Sequence, residues 1–292
     1  MKKFVKIVIT FVVDLCNILI WLIYQLTNQH FKSDLKNASK KKPIYILGNG
    51  PSLLSVKDKI QDRSKINLCT VNFSVLTDIF MELKPEYHVI VDPAFFELEK
   101  NTQDVKNRVL QFFETLNSKV TWNMTLIVSA KANRKTLKKL LKNDKIRICQ
   151  LPGKDLKLDS DIFQSLMFLS YRKGLAMLPC QNVVMACIYF AITIGYKEIQ
   201  LYGVEHSWIK YLKVNENNIV CQEDVHYYGK TKLVPFYKDK NSTFTMAEIL
   251  TAFAKMFSGY EKLQRYAKYC GSVQIINMTK DSYIDAFQRG NN

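Results

Sequence analysis

The segment Ile44-Tyr45-Ile46-Leu47, followed by Gly48-Asn49-Gly50-Pro51-Ser52, constrains the fold more than any other stretch of the chain. Four apolar residues bounded by glycine are typical of a short strand buried in a parallel sheet. Two glycines one residue apart allow a sharp turn and a close approach of the backbone to a ligand. Ser52 can cap a helix that begins near Leu53. A strand, a glycine turn and a helix N-terminus together present N–H groups to an anion, so we predict a nucleotide-phosphate site.

The same segment limits the class of nucleotide site. The third glycine of the GxGxxG fingerprint is absent, and no lysine of the Walker type follows the turn. A purely structural turn between a strand and a helix is the alternative interpretation. The segment therefore indicates a nucleotide site without defining its class.

Strands and helices alternate along the remaining chain, which is typical of an α/β fold. We predict a single Rossmann-like, mostly parallel sheet flanked by helices. Asn72, Asp92 and Glu205 follow three of the predicted strands, at the edge where such sheets bind ligands. The predicted strands are 66–71, 87–91, 126–129, 146–149, 197–202 and 273–277; the predicted helices are 76–83, 95–118, 131–142, 160–172, 183–194 and 246–269, with a short helix from Asp281.

Residues 1–30 form an apolar segment that predicts a membrane-associated helix. From Ile7 to Leu26 the segment is long enough to cross a bilayer at about 1.5 Å per residue, and it lacks a signal-peptide cleavage site. Its polar residues share one narrow stripe of the helical wheel. A spanning helix packed on a partner, a helix lying in the interface and an ordinary buried helix all fit this pattern. The stripe comprises Lys6, Thr10, Asp14, Asn17, Gln25 and Asn28, together with Trp21 and Tyr24.

Residues 31–42 form a basic linker, and the whole chain carries a net charge of +16 at pH 7. Such a surplus indicates polyanionic surroundings, for example anionic lipid or phosphorylated substrates. No zinc finger or RNP motif accompanies it, so nucleic acid is not an expected partner. The seven cysteines are odd in number and form no CxxC pair, which indicates reduced thiols in a cytoplasmic compartment.

The segment 207–243 reads as a long loop, and we expect it to act as a lid. A transferase that activates a hydroxyl group needs a general base, most often histidine. His206 lies just past a predicted strand and His226 lies within the loop, so either is a candidate base. His30, beside the apolar segment, and His88, inside a predicted strand, are expected to be structural.

No histidine, cysteine and carboxylate spacing typical of a zinc site occurs, and the HExxH motif is absent. We therefore expect no metal site and no divalent metal cofactor. In a metal-free reaction, lysines, tyrosines and helix N-termini would stabilise the departing phosphate. Lys210 and Lys230 of the segment 207–243 are candidates for this task.

Together these features resemble the bacterial sialyltransferases of glycosyltransferase family 42, which add sialic acid from CMP-sialic acid to lipooligosaccharide. The resemblance rests on the order of the GNGPSL strand and turn, the strand before Asn72, the strand before Asp92-Pro93, the sequence GYKEI at 195–199 with Gly203, a His-Tyr loop and a long helix. It covers about residues 43–290. It implies one metal-independent nucleotide-binding domain, here 43–292, with a lid over the donor and an association with membranes.

The resemblance also implies functional residues. Asp92 stands where the family usually has Asn, and Lys230 stands where the family has its base histidine. His206 and Ser207 replace an aromatic residue and a tyrosine that supports the leaving phosphate. The catalytic candidates are therefore His226, His206 and Lys230. The implied donor-binding residues are Asn49, Gly50 and Ser52, with Gly48 in the same turn, for the phosphate and sugar; Asn72 and Asp92 for the nucleotide or sialyl portion; Asn182 at a helix start; and Gly203 and Glu205 for the nucleoside.

The sequence thus favours a membrane-associated glycosyltransferase of the sialyltransferase type, located at the bacterial inner membrane with its catalytic domain in the cytoplasm. The expected partners are a nucleotide-sugar donor, most simply CMP-linked, a glycan or glycolipid acceptor, and the membrane surface. Whether the chain forms a homo-oligomer is left open. Two alternatives remain. The first is a magnesium-dependent pyrophosphokinase-like enzyme, because the same GNGPSL core occurs in proteins that resemble archaeal pterin pyrophosphokinases. The second is a non-catalytic scaffold in polysaccharide assembly.

Overall fold

The structure, a computed structural model, describes residues 2–27, 41–53, 56, 60, 62–225, 231–238, 242–271 and 273–290. Within this part of the chain, helices and strands alternate as the sequence predicts. In chain order the elements are α1 (Lys2–Thr27), β1 (Ile44–Leu47), β2 (Asn67–Val71), α2 (Asp78–Leu83), β3 (Tyr87–Ile90), α3 (Gln103–Lys119), β4 (Met124–Val128), α4 (Arg134–Leu140), β5 (Ile146–Gln150), α5 (Asp161–Lys173), α6 (Val183–Ile194), β6 (Glu198–Tyr202), β7 (Leu212–Val214), β8 (Val220–Val225), β9 (Thr231–Pro235), α7 (Met246–Tyr269), β10 (Gln274–Asn277) and β11 (Gln288–Arg289).

Within the described residues, eight parallel strands form the main sheet, in the order β11-β10-β6-β1-β2-β3-β4-β5. The chain builds outwards from β1 to β5 and then returns to the other side of β1 with β6, which places the topological switch between β1 and β6. Leu47 pairs with Tyr202 in this register, so Gly48 and Gly203 follow side by side. Open α/β sheets bind their ligands outside the carboxyl ends of the strands at such a switch point. The predicted fold class is confirmed.

Helices cover both faces of the main sheet. Successive residues of β4 enter different apolar clusters: Ile127 packs with the cluster of α5, α6 and α7, whereas Leu126 and Val128 pack with the cluster of α3 and α4. This alternation follows from the two-residue period of a strand. Helix α6 lies in the core, with Asn182 capping its start and Gly195, in the left-handed conformation, ending it. Both bounds agree with the sequence prediction.

The segment 207–243 is not the long loop that the sequence analysis predicted. Its described residues form a 3-10 turn, Trp208–Tyr211, and then a three-stranded antiparallel sheet in the order β7-β8-β9. The turn between β7 and β8 is held by Asn215, whose side chain accepts hydrogen bonds from the N–H groups of Asn217 and Ile219, and by Asn218 with φ +58°. These strands are short and the turn is built from asparagines, so the local pattern resembled a loop. The role of this segment as a lid stays a prediction.

The predicted helix from Asp281 is also wrong. Asp281 has φ +56°, and Asn277 Nδ2 donates to Ser282 Oγ (3.0 Å), which in turn donates to the carbonyl of Val204 (2.7 Å). These side-chain hydrogen bonds hold the segment in turns, because they compete with helical bonding. The predicted helix 95–118 is shorter than expected, since two 3-10 turns precede α3 at Pro93–Phe95 and Leu98–Lys100.

Candidate functional site

A cavity of about 1160 Å³ lies at the carboxyl ends of the central strands. It is enclosed by the turn after β1, the ends of β2, β3 and β6, the start of α6, the segment after Glu205, part of β8, and Lys280 with Asp281. The structure brings all nine predicted donor-binding residues to this one cavity, although their role in binding stays a prediction. These nine residues are Gly48, Asn49, Gly50, Ser52, Asn72, Asp92, Asn182, Gly203 and Glu205.

The glycine turn is packed directly against the end of β6. The N–H of Gly48 donates to the carbonyl of Tyr202 (2.8 Å), and the N–H of Gly50 donates to the carbonyl of Gly203 (2.9 Å). A Cβ atom on Gly48 would lie 2.2 Å from the carbonyl oxygen of Gly203, so the close approach of the two backbones requires glycine here. Contrary to the sequence expectation, these two N–H groups are used by the protein itself and do not face a phosphate.

Glu205 places a carboxylate against the same turn. Its Oε1 accepts a hydrogen bond from the N–H of Ser52 (2.7 Å), and a Cβ atom on Gly50 would lie 1.6 Å from its Oε2. The carboxylate therefore occupies the position at which the sequence predicted a nucleotide phosphate. A second anion at this point would be repelled by the first, so the turn suits a neutral, hydroxyl-bearing group better than a phosphate.

Three buried polar atoms that line the cavity have no hydrogen-bond partner within the described residues: Asn72 Oδ1, Asn182 Nδ2 and Glu205 Oε2. A buried polar atom without a partner costs about 1–3 kcal/mol, and such atoms are rare unless a ligand or water satisfies them. Two of the three can only accept a hydrogen bond and one can only donate. This set matches a ligand that carries both hydroxyl groups and acceptor oxygens.

Asn72 is held in place by His88. Asn72 has φ +50°, an uncommon conformation for a residue other than glycine, and its carbonyl lies 2.9 Å from His88 Nε2. A carbonyl only accepts, so Nε2 carries the proton, and Nδ1 accepts from Thr70 Oγ1 (2.8 Å). Burial lowers the pKa of His88 to about 3, so the ring is neutral. His88 thus has the structural role that the sequence predicted, next to a cavity residue.

His206, the one candidate base that the described residues include, lines the cavity in an aromatic environment. Its ring stacks on Trp208 with 4.6 Å between centroids, and its Nδ1 lies 3.0 Å from the hydroxyl of Tyr260. Burial lowers the pKa of His206 to about 4, so the imidazole is neutral at pH 7. A neutral ring can accept a proton, although a group with so low a pKa is a weak base.

The hydrogen bonds around Tyr260 define which nitrogen of His206 carries the proton. Asn182 Oδ1 accepts from the N–H of Met185 (3.0 Å), which identifies it as the oxygen, and it also bonds to the hydroxyl of Tyr260 (3.1 Å). An oxygen of this kind cannot donate, so Tyr260 donates to Asn182 and accepts from His206 Nδ1–H. The lone pair of the imidazole therefore resides on Nε2, the nitrogen available for proton transfer.

Among the described residues, the cavity is lined by more carboxylates than cations. Asp92, Glu205, Glu223 and Asp281 line it, together with Lys210 and Lys280. Asp92 Oδ1 accepts from the N–H of Ala94 (2.9 Å) and so shapes the turn after β3. His226 and Lys230, the other two catalytic candidates, lie outside the described residues, in the segment between β8 and β9.

A metal site is not assembled by these side chains alone. In the part of the chain that the structure describes, no three or more His, Cys, Asp and Glu side chains lie close enough together to hold an ion. Asp159 and Asp161 are one residue apart, but they lie at the start of α5 beside α1 and not among the residues of the cavity. A divalent ion in the cavity would need most of its ligands from a bound nucleotide or water.

Sequence reasoning missed the two aromatic residues that contact His206, Tyr260 and Trp208. Tyr260 lies on the apolar face of the long helix α7, where an aromatic residue is indistinguishable from a core residue. Trp208 follows His206 in the segment that was expected to be a loop. Neither belongs to a motif, so only the fold reveals their contact with His206.

The sheet and its cavity define a Rossmann-like α/β protein with a cavity at the switch point between β1 and β6. The chain belongs to the family described as 6-hydroxymethylpterin diphosphokinase MptE-like, whose model matches residues 19–211. Among solved structures, the MAf glycosyltransferase from Magnetospirillum magneticum AMB-1 is 13% identical, with a TM-score of 0.47 over 90% of this chain. This chain spans 35% of that protein's chain. Comparison with curated protein sequences gives no match.

Proposed function

We propose that this chain is a membrane-associated glycosyltransferase that transfers a sugar from a nucleotide-activated, CMP-linked donor to a surface glycan or glycolipid. The observation that carries the proposal is the set of unpartnered buried atoms in the cavity: Asn72 Oδ1, Asn182 Nδ2 and Glu205 Oε2. Sugar hydroxyls would donate to the two acceptors, and a phosphate or carbonyl oxygen would accept from the amide. The resemblance to the family 42 sialyltransferases supports the choice of donor class.

The charges around the cavity support one orientation of the donor. Hydroxyl groups of its sugar or ribose would lie at the glycine turn, where Glu205 excludes a second anion. The phosphate would lie towards Asn182 at the N-terminus of α6, because the dipole of a 12-residue helix favours an anion there. Lys210 and Lys280 at the cavity wall would add positive charge.

In the proposed reaction the acceptor hydroxyl attacks the anomeric carbon in line, while the bond from that carbon to the phosphate oxygen breaks. The nucleoside monophosphate leaves with the bonding electron pair, and the sugar passes through an oxocarbenium-like state. A histidine takes the hydroxyl proton: His226, or else Nε2 of His206. Lys230 would assist the departing phosphate.

A magnesium-dependent pyrophosphokinase-like activity is the second candidate, and family membership favours it. In that reaction an acceptor hydroxyl would attack the β-phosphorus of ATP, and AMP would leave. The four carboxylates at the cavity also suit a cation-bearing nucleotide better than a free anion. The described residues do not form a magnesium site by themselves, so Asp92 and Glu205 would act together with the nucleotide phosphates.

Thermal unfolding of the full-length protein in detergent, with CMP, UMP, GMP or ATP and with or without magnesium, separates the candidates. A ligand that binds only the folded state stabilises it by about 2.7 kcal/mol at a hundred times its Kd. We expect CMP to raise the melting temperature without magnesium. A shift with ATP that requires magnesium would replace this proposal by the second candidate, and no shift with any nucleotide would favour the scaffold.

Glu205→Gln tests the site itself. The amide oxygen of the variant can still accept from Ser52 N–H, whereas the NH₂ group that replaces Oε2 can no longer accept from a ligand hydroxyl. We expect the CMP-induced shift to be lost while the unliganded melting temperature changes little. Glu223→Gln, the same change at another cavity residue, is the matched control and should keep the shift. Equal shifts in both variants would contradict the proposed donor position.

A further inference from the structure

Helix α1 is attached to the α/β domain through its polar stripe. Asp14 is fully buried and accepts hydrogen bonds from the N–H groups of Asp159 (3.0 Å) and Ser160 (2.9 Å) and from the hydroxyl of Ser160. These contacts lie immediately before α5, so a carboxylate of α1 satisfies N–H groups at the start of another helix. Asp14, whose charge would be costly at the centre of a bilayer, thus binds the domain.

Further contacts extend along α1. Asn17 Nδ2 donates to the carbonyl of Lys157 (3.0 Å), and Gln25 Nε2 donates to the carbonyl of Leu175 (3.0 Å). The ring of Phe11 stacks on Phe163 with 5.4 Å between centroids, and Trp21 is only 7% exposed. From Phe11 to Gln25 the attached length is about 21 Å at 1.5 Å per residue.

The opposite face of α1 is apolar and uncovered. Apart from Phe11, twelve large apolar side chains between Val5 and Leu26 are exposed, and Ile9, Leu19 and Ile23 are each more than half exposed. A continuous apolar surface of this length exceeds what folded proteins leave in contact with water and marks an interaction surface. The segment Val5–Leu26 is long and apolar enough to cross a membrane by length and composition, but its attachment to the domain restricts how it can meet one.

A helix that crossed the bilayer while attached in this way would carry its docking surface into the hydrocarbon. That surface includes the exposed charged residues Lys157, Asp159 and Asp161, each of which costs several kcal/mol in the bilayer core. A helix that lies flat avoids this cost, because only its uncovered face enters the lipid. Lys154, whose Nζ lies 5.1 Å from the ring centroid of Tyr24, would contact anionic headgroups.

We propose that α1 lies in the plane of an anionic membrane surface, with its apolar face among the acyl chains and its polar stripe bound to the domain. The protein is then held on one leaflet, and it does not cross the bilayer. Of the three arrangements that the sequence left open, this corresponds to the interfacial helix. The occupant of the uncovered face is lipid, and a second copy of the chain is the alternative that the experiments below test.

The depth of three positions along α1 separates a flat helix from a spanning one. Residues 9, 16 and 23 lie seven residues apart, so they share the face opposite Asp14. The full-length protein is labelled with the fluorophore NBD at Cys16, or at Ile9→Cys or Ile23→Cys in a Cys16→Ser background, with Cys16→Ser alone as the labelling blank. Quenching by lipids brominated at different depths is measured in vesicles of phosphatidylcholine and phosphatidylglycerol.

A flat helix predicts the same shallow depth at all three positions, about 5–10 Å below the headgroups. A spanning helix predicts that residue 16 is deepest, with residues 9 and 23 displaced by about 21 Å from one another along the bilayer normal. That result would overturn the proposal. Absence of quenching at all three positions would also overturn it and would assign the face to a second copy.

Vesicle flotation of Ile9→Glu/Leu19→Glu tests the same surface by an independent route. Both positions are exposed and away from the docking contacts, so the fold is retained, and we expect binding to fall by about tenfold or more because two charges enter the apolar face. Val105→Glu/Leu110→Glu on α3 makes the same change at two exposed apolar residues of another helix and should bind normally. Equal binding of the two variants would contradict the proposal.

Discussion

The hydroxyl of Tyr260 lies 3.0 Å from Nδ1 of His206, and this contact joins the core of α7 to the wall of the cavity. Because the same hydroxyl donates to Asn182 Oδ1, the contact requires that Nδ1 of His206 carries the proton. The N-terminus of α6, the helix α7 and the segment after β6 therefore meet at one buried hydroxyl. A change at Tyr260 should be felt both in the stability of the fold and in the cavity.

Tyr260→Phe should lower the free energy of unfolding by about 1–3 kcal/mol. The variant keeps the ring but leaves His206 Nδ1 and Asn182 Oδ1 without their shared partner in a buried place. Urea denaturation at pH 7 measures the change, and Tyr269→Phe on the same helix is the control because Arg172 and Phe168 contact its ring. A Tyr260→Phe variant as stable as the control would show that the hydroxyl contributes nothing.

Local pattern was sufficient for much of this fold. The apolar runs 183–194 and 246–269 predicted the bounds of α6 and α7, and β1 with its glycine turn follows from four residues and two glycines. These signals are short-range, since propensity, capping and turn chemistry act within a few residues. The parallel sheet then follows from the alternation of elements.

What the sequence could not provide is contact across long separations. Glu205 binds the N–H of Ser52 across 153 residues, and Tyr260 binds His206 across 54. The sequence of a glycine turn after a buried strand is the same whether the turn faces a phosphate or a carboxylate. The sequence therefore predicted a phosphate at the position that the Glu205 carboxylate occupies. The strands β7, β8 and β9 were missed for another reason, since they mix polar and apolar residues and lack the continuous apolar run that identified β1.

The two histidine candidates for the base should differ sharply in their effect on turnover. His226→Ala should lower turnover by about 10²–10⁴-fold if His226 is the base that takes the proton of the acceptor hydroxyl. His206→Asn retains an amide N–H that can replace Nδ1–H towards Tyr260, so it removes Nε2 without removing the structural contact. The initial rate of glycosyl transfer from a CMP-linked sugar measures both variants.

A normal rate in one histidine variant removes that residue from the mechanism, and the other is then the base. The pH profile provides a second reading, because a base with a pKa near 4 would leave the rate unchanged from pH 8 down to about pH 5. A rate that decreases as the pH is lowered from 7 would identify His226 as the base. Normal rates in both variants would contradict a histidine-dependent transfer.

Gly48→Ala should destabilise the fold by about 1–3 kcal/mol, because the added methyl group meets the backbone of Gly203. The added Cβ would lie 2.2 Å from a carbonyl oxygen and 2.9 Å from its carbon, and neither atom can move without shifting β6. Gly290→Ala is the contrasting variant: its Cβ would lie 1.9 Å from Met278 Sδ, the end of a flexible side chain that can turn away. Thermal unfolding compares the two variants. An equal decrease in melting temperature would show that the backbones at the ends of β1 and β6 can move apart at little cost.

The stability of the protein should fall as the pH falls from 6.5 to about 4. Burial lowers the pKa of His88 to about 3 and that of His206 to about 4, whereas an unfolded histidine titrates near pH 6.5. In this range the unfolded chain binds protons that the folded chain does not, which costs about 1.4 kcal/mol per pH unit for each histidine. The stabilisation is complete above pH 6.5 and is lost as the pH approaches the folded pKa values.

Urea denaturation at pH 7, 6 and 5 measures this slope. Carboxylates also titrate near the lower end of the range, so the informative quantity is the difference between the wild type and His206→Asn. We expect the free energy of unfolding of His206→Asn to depend less steeply on pH, by the equivalent of about one bound proton. Of the two histidines with a lowered pKa, only His88 remains in this variant. Identical slopes would mean that His206 is protonated in the folded protein at pH 5.

Asp14→Ala should release α1 from the domain and lower the free energy of unfolding by about 1–3 kcal/mol, because the N–H groups of Asp159 and Ser160 lose their acceptor. Asn17→Ala, one turn further along the same stripe, removes a single neutral hydrogen bond to the carbonyl of Lys157 and should cost about 0.5–1.5 kcal/mol. Urea denaturation of the full-length protein in detergent ranks the two variants. If Asp14→Ala were the milder change, the carboxylate would not be the residue that attaches the helix, and the apolar face would be free to turn towards any partner.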